Sequence, residues 1–403
     1  MKGQAHVGEW RDVALGDVLT LQRGFDLPAR DRVDGPVPVV SSSGVTGRHS
    51  VAKVDPPGVV IGRYGSLGLV HWVTEPFWPL NTSLWVKDFK GNDPRYISYL
   101  LKTIAADGSS AAAVPGVNRN HLHRLSVRVP TRARQQRIGG ILASFDDLIA
   151  VNNRRIEILC DIARSLFREW FVRFRFPGHE RVVDGRSVDE ELPSGWVIGA
   201  VGDFLDVVGG GTPSKARSEF WENGSVDWFT PSDLTSTRTR FVDGSRTRMT
   251  HLGLERSSAR LFPAGSVLMT SRATLGVVGI ALREATCNQG FIVIRPHRTI
   301  PSSFLYEWLV AHEDRLAAIA TGATFKEITK TAFKRFPFIM PTPDVLRKFA
   351  DVMDPIDRQI AMCERLRCRL HAARDLLLPR LVNGRLDISD VDLGDLLDEA
   401  DVA

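Results

Sequence analysis

The sequence WRDVALGD at residues 10–17 recurs as WVIGAVGD at residues 196–203, a spacing of 186 residues that also relates Gly24 to Gly210. Further pairs follow in the same order: Arg63 with Arg272, Asn81 with Asn288, Tyr96 with Phe304, and Pro130-Thr131 with Pro341-Thr342. The spacing reaches 211 at the last pair, so insertions separate the two copies while their frame persists. A repeat of this size predicts two copies of one fold with an approximate internal two-fold axis.

The composition is that of an ordinary globular protein. Its 403 residues are 43% hydrophobic and 25% charged, enough for roughly two or three domains. The four cysteines, Cys160, Cys287, Cys363 and Cys368, show no CxxC spacing, which favours a reducing compartment. The sequence shows neither a charged-then-apolar leader nor an apolar run long enough for a membrane span, so we expect a cytoplasmic protein.

The charge is unevenly distributed along the chain. Residues 386–403 carry seven acidic side chains and no lysine or arginine. Since the whole chain has a formal net charge of +5, the rest of it carries +12. This surplus favours a polyanionic partner, although a solvated basic surface without a ligand would have the same composition.

Two stretches, residues 1–129 and 191–340, alternate short apolar runs with turn clusters. The clearest strand predictions are residues 37–40, 58–62, 265–269 and 290–294, and a helical stretch runs from Tyr96 to Ile104. The sequence therefore predicts two α+β lobes.

After each lobe the apolar period changes to that of a long helix. From Ile138 to Trp170, seam residues recur at alternating steps of four and three, which is the pattern of a coiled coil. The seam includes Ile149, Asn152, Ile156, Leu159 and Leu166 in the first copy, and Ile360, Leu366, Leu370 and Leu377 in the second. We predict that the helices end by Pro177-Gly178 and near Asn383-Gly384.

Asp354-Pro355 has the form of a cap followed by proline at the first helical position. We therefore expect a short helix before Pro355 and a long one after it, and by analogy a break near Ser144.

About 30 helical residues would reach roughly 45 Å, and neither helix can bury its seam alone. The economical arrangement pairs the two helices with each other, and an internal two-fold axis makes them antiparallel. Asn152 would then fix their register more than it adds stability. The alternative is that each helix packs only on its own lobe.

The sequence contains no recognisable catalytic constellation. The glycine-rich run at residues 209–215 lacks the phosphate-loop spacing, and residues 93–96 form a helix start rather than a methyltransferase loop. His121 and His123 have no cysteine or carboxylate ligand nearby, so we expect no metal site. These absences predict a binding protein rather than an enzyme.

Taken together, the repeated motifs resemble the specificity subunit of Type I restriction-modification enzymes. The motifs are Gly24 to Pro28, Ser42-Ser43-Gly44, GRYGSLG at 62–68 and Phe77-Trp78-Pro79 in the first lobe, with Gly210 to Pro213, WFTP at 228–231, SRATLG at 271–276 and NQGF at 288–291 in the second. The helix ending SLFREWF at residues 165–171 resembles the central spacer of that family.

The resemblance implies a domain order. It gives target-recognition domains at residues 1–130 and 178–341, a central spacer helix at 131–177, a distal spacer helix at 342–384 and an acidic tail at 385–403. Each domain would read one half of an asymmetric, interrupted DNA sequence, and the helices would set the spacing between the halves.

The resemblance also implies partners. Two methyltransferase subunits would dock on the helices to methylate adenine, and ATP-driven restriction subunits would join them. S-adenosylmethionine, ATP and magnesium would belong to those partners, so this chain would hold no cofactor.

Donor-rich predicted loops supply candidate DNA contacts. These residues are Ser42, Ser43, Arg63, Tyr64, Arg119 and Asn120 in the first lobe, and Thr212, Lys215, Arg217, Arg272, Thr274 and Lys326 in the second. Arginine and lysine at such places pair with guanine or hold phosphates. Arg63 and Arg272 could equally be internal struts of the repeated frame, and the others could be plain surface.

Two other functions remain open at this point. A two-domain adaptor would hold protein partners on its helices and bind something other than DNA, and its affinity would respond weakly to salt. A nuclease is the weaker alternative, because the sequence shows no metal-binding constellation.

Overall fold

A computed structural model describes residues 10–63, 69–106, 118–179, 192–322 and 326–386. The chain divides into two compact units, one of residues 1–150 with 368–403 and one of residues 151–367. Tyr64 and residues 387–403 of the acidic tail lie outside the described residues. None of the helices in the described ranges is long and apolar enough to cross a membrane.

The first unit combines short strands with short helices and with one end of each long helix. Its strands are β1 (Trp10–Ala14), β2 (Thr20–Arg23), β3 (Val37–Ser41), β4 (Gly44–His49), β5 (Gly58–Gly62), β6 (Val70–Val73), β7 (Trp78–Pro79), β8 (Ser83–Asp88) and β9 (Ser126–Pro130). Its helices are α1 (Leu15–Val18), α2 (Pro94–Ala106), α3 (Arg119–Arg124) and the start of α4 (Arg132–Phe167).

The second unit is built in the same manner. Its strands are β10 (Val197–Ala200), β11 (Val207–Gly209), β12 (Val226–Phe229), β13 (Phe241–Val242), β14 (Arg248–Met249), β15 (Val267–Thr270), β16 (Val278–Ala281), β17 (Thr286–Cys287), β18 (Phe291–Ile294) and β19 (Pro337–Met340). Its helices are α5 (Val201–Phe204), α6 (Pro231–Thr237), α7 (His251–Glu255), α8 (Ser302–Ala311), α9 (Glu313–Ala318), α10 (Lys330–Lys334) and the first part of α11 (Pro343–Val382).

The strand pairing repeats between the units. β3 pairs antiparallel with β4 and parallel with β7, and β12 pairs in the same two ways with β14 and β17. The larger sheets have the orders β2-β8-β5-β6 and β11-β18-β15-β16, the second extended by β13. β1 pairs with β9 as β10 pairs with β19. The predicted duplication of one α+β fold is confirmed, and the insertion in the second copy adds β13.

Backbone hydrogen bonds correct the predicted alignment by one residue. The N–H of Arg63 donates to Thr82 (3.1 Å), and the N–H of Ser271 donates to Gly290 (2.8 Å), so Arg63 is equivalent to Ser271 and not to Arg272. Similarly, Phe25 donates to Pro79 as Gly211 donates to Cys287, which makes Asn81 equivalent to Gln289 and not to Asn288. The predicted pairs were wrong because they matched like side chains, whereas the backbone ladder fixes the frame.

Each unit has its own apolar core, to which both long helices contribute. In the first unit Leu15 and Tyr96 are packed with Leu142 of α4 and Leu381 of α11. The core of the second unit includes Phe167 and Trp170 from the end of α4 and Leu346 and Phe349 from the start of α11. Because the helix ends are buried in the lobes, removing a lobe would expose apolar helix surface.

The two long helices have the predicted ends but not the predicted break. α4 continues through a π-helical turn at Arg168–Val172, and α11 ends before Gly384, whose φ is +69°. α11 runs without interruption through Pro355, so the expected break there is wrong. A proline inside a helix costs about 3 kcal/mol, and the fully buried Phe349 and Met353 before it hold the helix in place despite that cost.

α4 is likewise uninterrupted at Ser144, where a break was also expected. The Ser144 hydroxyl donates to the carbonyl of Gly140 at 3.1 Å and so satisfies itself within the helix.

The helices pack against each other in antiparallel orientation, as predicted. In the first unit Arg374 donates to Asp146 at 2.8 Å. In the second unit Arg367 donates to Asn153 at 3.3 Å, and the rings of Trp170 and Phe349 lie 5.7 Å apart. Residues further along α4 contact residues earlier in α11, so the two helices run antiparallel. The alternative in which each helix packs only on its own lobe is therefore wrong.

The apolar seam between α4 and α11 differs from the prediction at one residue, which lies in α11. Ile149, Asn152, Ile360 and Leu370 are buried, and Ile156, Leu159, Leu166 and Leu377 are half-buried. Leu366, however, is 37% exposed, so its assignment to the seam is wrong. The neighbouring Arg367 contacts α4 instead, because its guanidinium reaches Asn153.

Candidate nucleic-acid interface

Two equivalent glycines bring a loop of each lobe close to the connection between β7 and β8 in the first lobe and between β17 and β18 in the second. A Cβ on Gly24 would lie 2.2 Å from the carbonyl oxygen of Leu80, and one on Gly210 would lie 2.0 Å from that of Asn288. Since such distances exclude every side chain, both positions require glycine. This close approach accounts for the recurrence of Gly24 as Gly210 in the sequence.

Two residues after each glycine, a side-chain bridge joins the loop to the same connection. The amide of Asn81 donates to the carboxylate of Asp26 in the first lobe. The hydroxyl of Thr212 donates to the side-chain oxygen of Gln289 in the second lobe. The bridges occupy equivalent places at the surface and differ in chemistry.

The loop that carries Thr212 is held by two tryptophans. The indole N–H of Trp228 donates to Gly211 at 2.9 Å, and that of Trp221 donates to Ser214 at 3.0 Å. Lys215 and Arg217 follow in the same loop and are exposed. Thr212, Lys215 and Arg217 thus lie in one loop whose backbone these two hydrogen bonds hold.

Ser42 and Ser43 lie in the tight turn between β3 and β4. The Ser43 hydroxyl is 3.0 Å from that of Ser41, and a ring nitrogen of His71 on β6 is 3.1 Å from the carbonyl of Ser42. The exposed Ser43 can therefore present a hydroxyl from a turn that the larger sheet supports.

Three predicted residues of the second lobe form one surface group. Arg272 forms a 2.8 Å ion pair with Glu327, and the N–H of Ala273 donates to Lys326 at 3.3 Å. Thr274 and Lys326 are exposed beside them. The Arg272 pair ties two loops together, as a strut would, while nearly half of the Arg272 side chain stays exposed.

The remaining candidates of the first lobe lie apart along the chain. Arg63 follows β5 and is half-buried. Arg119 and Asn120 open α3, are exposed and follow Asn118, whose side chain caps that helix. Tyr64 lies outside the described residues, so its predicted contact has no structural description.

An aspartate anchors the first lobe to the helix pair. Asp146 of α4 accepts from Tyr99 of α2 at 2.7 Å and from Arg374 at 2.8 Å, and it lies within 3.7 Å of Arg95 and Lys102. Burial acts to raise the pKa of Asp146, but these hydrogen bonds and the charges of Lys102 and Arg374 outweigh it and lower the pKa below its usual value.

The equivalent residue of the second unit is Asp357, 211 residues later. The buried Arg240 forms ion pairs with Asp357 at 2.9 Å and with Glu307, and it stacks 4.2 Å from the centroid of Tyr306. Burial raises the pKa of Asp357 to about 6 against the lowering effect of Arg240. Glu364 accepts from the backbone N–H groups of Arg240 and Phe241 at 2.8 and 3.0 Å.

Sequence reasoning missed the bridges and the anchors. Asp26, Asn81 and Gln289 carry a signal, because they lie at fixed offsets within the repeated frame. Arg240 carries no such signal in the sequence. Its partners are distant in the chain, and a single arginine in an insertion belongs to no repeated pattern.

In the described ranges, no group of three or more histidine, cysteine or carboxylate side chains could hold a metal ion. Burial raises the pKa of Cys160 to about 11 and that of Cys287 to about 12, so both thiols are protonated at neutral pH.

The profile of a protein family described as the Type I restriction modification DNA specificity domain matches residues 8–159 and 193–371, one range in each half of the chain. The chain belongs to this family. Within the specificity family, it is 32% identical over 169 residues to the specificity subunit of Type I restriction enzyme MjaIX from Methanocaldococcus jannaschii, over 41% of this chain and 39% of that protein. It is 25% identical over 336 residues to the HindI specificity subunit of Haemophilus influenzae, over 69% of this chain and 72% of that protein.

The fold also matches a solved member of the specificity family. The S subunit of a Type-I restriction-modification system from M. genitalium superimposes with a TM-score of 0.64 at 14% identity, over 94% of this chain and 97% of that one. The likeness is one of fold, and it extends over both lobes and both long helices.

Proposed function

We propose that this chain is the DNA-recognition subunit of a Type I restriction-modification complex, with each lobe reading one half of an asymmetric, interrupted target. The observation that carries the proposal is the presence of a DNA specificity domain in each half of the chain, on one frame but with different surface chemistry. Because the two lobes share one fold, their DNA-reading surfaces should lie at equivalent places. Because the side chains on those surfaces differ, the lobes should recognise different bases.

The two bridges are the places where we expect this difference to act. Asn and Gln amides can pair with the major-groove edge of adenine, where all four base pairs are distinguishable. Asn81 beside Asp26 in one lobe and Gln289 beside Thr212 in the other offer different sets of donors and acceptors. The half-sequences should accordingly differ.

Around the bridges we assign phosphate contacts to the exposed cations. Lys215, Arg217 and Lys326 in the second lobe and Arg119 in the first are exposed. Contacts to phosphate fix the register of a protein on DNA without reading its sequence.

The long helices would set the gap between the two half-sequences. Insertion of four residues, about one helical turn, after Asn152 should change the length of the unread gap or abolish assembly. Each half-sequence should stay the same. A change in the half-sequences themselves would contradict this division of labour.

We place the docking surface for methyltransferase subunits on the exposed apolar face of α4. Ile158 and Ile162 are each 44% exposed, and with Leu166 they line a groove of 410 Å³. Exposed isoleucines four residues apart on a helix are a typical apolar contact for a partner.

The docking surface can be tested with Ile158→Glu combined with Ile162→Glu. We expect at least about tenfold weaker binding of the methyltransferase subunit, since two buried isoleucines contribute well over 1.4 kcal/mol. Arg155→Glu, exposed on the same helix but outside the groove, is the control. An unchanged affinity in the double variant, with the control also unchanged, would exclude this groove.

The chain itself should not catalyse, and S-adenosylmethionine, ATP and magnesium should belong to its partners. Incubated alone with DNA and S-adenosylmethionine, it should transfer no methyl group, whereas addition of methyltransferase subunits should produce methylated adenine. Transfer by the purified chain would refute a targeting role without catalysis.

The DNA proposal is tested by titration of the assembled complex with duplex DNA at rising salt. Neutralisation of several phosphates makes the logarithm of affinity fall steeply and linearly with the logarithm of salt concentration. A flat response would favour the adaptor.

A further inference from the structure

A cavity of 730 Å³ lies in the second unit between the first turn of α8 and the first half of α11. Its wall includes Ser303 of α8 and Asp354 and Asp357 of α11, and the exposed His297 and Arg298 form its rim. Small-molecule sites in proteins have volumes of about 300–1,000 Å³. The second unit therefore has room for a small ligand at this place.

Ser303 presents an unsatisfied hydroxyl in the cavity wall. The residue is 3% exposed, and its Oγ has no hydrogen-bond partner among the described residues. A buried hydroxyl without a partner is unfavourable, so a donor that reached this oxygen from the cavity would be stabilised there.

The carboxylates beside the cavity have too few cations. In the described part of the chain, Arg240 is the only cation within ion-pair distance of Glu307 and Asp357. Asp354 adds a further negative charge at the wall, and burial raises the pKa of both Asp357 and Glu364. The environment favours one more positive charge.

The first unit shows what fills the equivalent place there. Ser303 corresponds to Arg95 in the frame that relates Tyr96 to Phe304, and Asp357 corresponds to Asp146. The guanidinium of Arg95 lies 3.6 Å from Asp146 and stacks 4.8 Å from the ring centroid of Trp72. Replacement of this arginine by serine in the second copy removes a cation next to an aspartate.

We propose that the cavity binds a small monovalent guanidinium compound, whose head group donates hydrogen bonds to Asp357 and Ser303. The planar guanidinium suits a carboxylate acceptor with a second oxygen beside it. The charge of Arg298 at the rim disfavours a ligand with further positive charges. Arg347, also in the wall, is already paired with Asp344 at 2.6 Å.

A guanidinium group can come from free arginine or from an arginine side chain of a protein, and the probes separate these sources. Isothermal titration calorimetry of the full chain at pH 8 would use L-arginine and Nα-acetyl-arginine methylamide, the second standing for a side chain in a peptide. L-citrulline, whose side chain has nearly the same shape but is uncharged, and spermidine, which carries several positive charges, are the ligand controls.

Binding by L-arginine alone would assign the site to the free amino acid, and equal binding by both arginine probes would assign it to the side chain. In either case the citrulline and spermidine titrations should be flat. Equal binding of citrulline and arginine, or no binding by either arginine probe to the folded chain, would overturn the proposal.

Variants locate the site. Asp357→Asn should weaken arginine binding at least about tenfold, because it removes the charged acceptor. Ser303→Arg, which restores the side chain of the first unit, should abolish binding without lowering Tm. Ser303→Ala, which removes only the hydroxyl, should weaken binding by a smaller factor.

Asp314→Asn is the matched control, because Asp314 is exposed on α9, outside the cavity, and the substitution has the same change in charge. It should leave the affinity unchanged. If Asp314→Asn weakened binding as much as Asp357→Asn, the effect would be one of overall charge and the assigned site would be wrong.

Discussion

The two anchors, Asp146 and Asp357, occupy the same place in two copies of one fold and have opposite electrostatic surroundings. Burial acts to raise the pKa of Asp146, but hydrogen bonds from Tyr99 and Arg374 and the charges of Lys102 and Arg374 lower it below its usual value. Asp357 shares the single guanidinium of Arg240 with Glu307, and burial raises the pKa of Asp357 to about 6 against the lowering effect of Arg240. Duplication has therefore preserved a position without preserving the charges around it.

The difference between the anchors follows from three replacements. Tyr99 of the first copy is Glu307 in the second, Arg95 is Ser303, and Arg374 has its functional counterpart in Arg240, which comes from the lobe and not from the helix. The first anchor therefore joins three helices through cations around one carboxylate. The second joins a loop and two helices through carboxylates around one cation.

The largest expected effect is that of Arg240→Met. Removal of the guanidinium leaves Glu307 and Asp357 buried without their counter-charge, which should cost about 3–5 kcal/mol of unfolding free energy. Urea denaturation followed by tryptophan fluorescence measures the loss. Arg365→Met, which breaks a half-exposed pair with Asp243, should cost less than about 1 kcal/mol. Equal losses of unfolding free energy in Arg240→Met and Arg365→Met would show that the buried ion pairs stabilise the protein no more than a half-exposed pair does.

Asp146→Asn and Asp357→Asn should separate the two anchors directly. Asp146→Asn removes the acceptor of Arg374 and should destabilise the protein by about 1–3 kcal/mol at pH 8. Asp357→Asn leaves Arg240 paired with Glu307 and relieves a crowded set of carboxylates, so the unfolding free energy should stay the same or rise. Destabilisation of equal size in the two variants would contradict the electrostatic difference.

The pH dependence of these variants should have opposite signs. The pKa of Asp357 is raised from 3.8 to about 6 in the folded protein, so its charge opposes folding increasingly as the pH rises from about 4 to about 6. The advantage of Asp357→Asn over the wild type should grow across that interval and then stay constant. The pKa of Asp146 is lowered, so its contribution to stability is present above pH 3.8 and is lost as the pH falls through the lowered pKa. Unfolding free energies of both variants at several pH values measure this contrast.

The sequence predicted the features of this fold that depend on local pattern. Strands at residues 267–270 and 291–294, the helix that includes Tyr96, and the end of α11 before Gly384 follow from apolar runs and from a glycine stop. The two lobes could be predicted because the sequence is duplicated, and motifs repeated in the same order are stronger evidence for a fold than any single motif.

The wrong predictions concern residues whose place in the structure differs from the one that their side-chain type suggests. Leu366 was placed in the seam because it is apolar, whereas the long arm of Arg367 reaches the opposite helix. Pro355 was taken as a helix start, yet packing on the residues before it overrides its local effect. Matching of Asn81 to Asn288 favoured identity over register and concealed the equivalence with Gln289.

The candidate site was predictable in part. Thr212, Lys215 and Arg217 were predicted as donors in a glycine-rich loop, while Gln289, the partner of Thr212, could be identified only from the fold. The anchors and the cavity beside Asp357 depend on residues far apart in the sequence, which no local pattern reports.

The two-lobe claim is tested most directly by mapping methylated adenines in genomic DNA from cells that contain the complex with wild-type chain, Asn81→Ala or Gln289→Ala. Two independent reading surfaces predict a bipartite motif in which Asn81→Ala relaxes bases of one half only and Gln289→Ala relaxes bases of the other half only. Each relaxed position should correspond to about 1–3 kcal/mol of lost discrimination. Simultaneous relaxation of both halves by either variant, or a continuous motif in the wild type, would contradict the assignment of one half-sequence to each lobe.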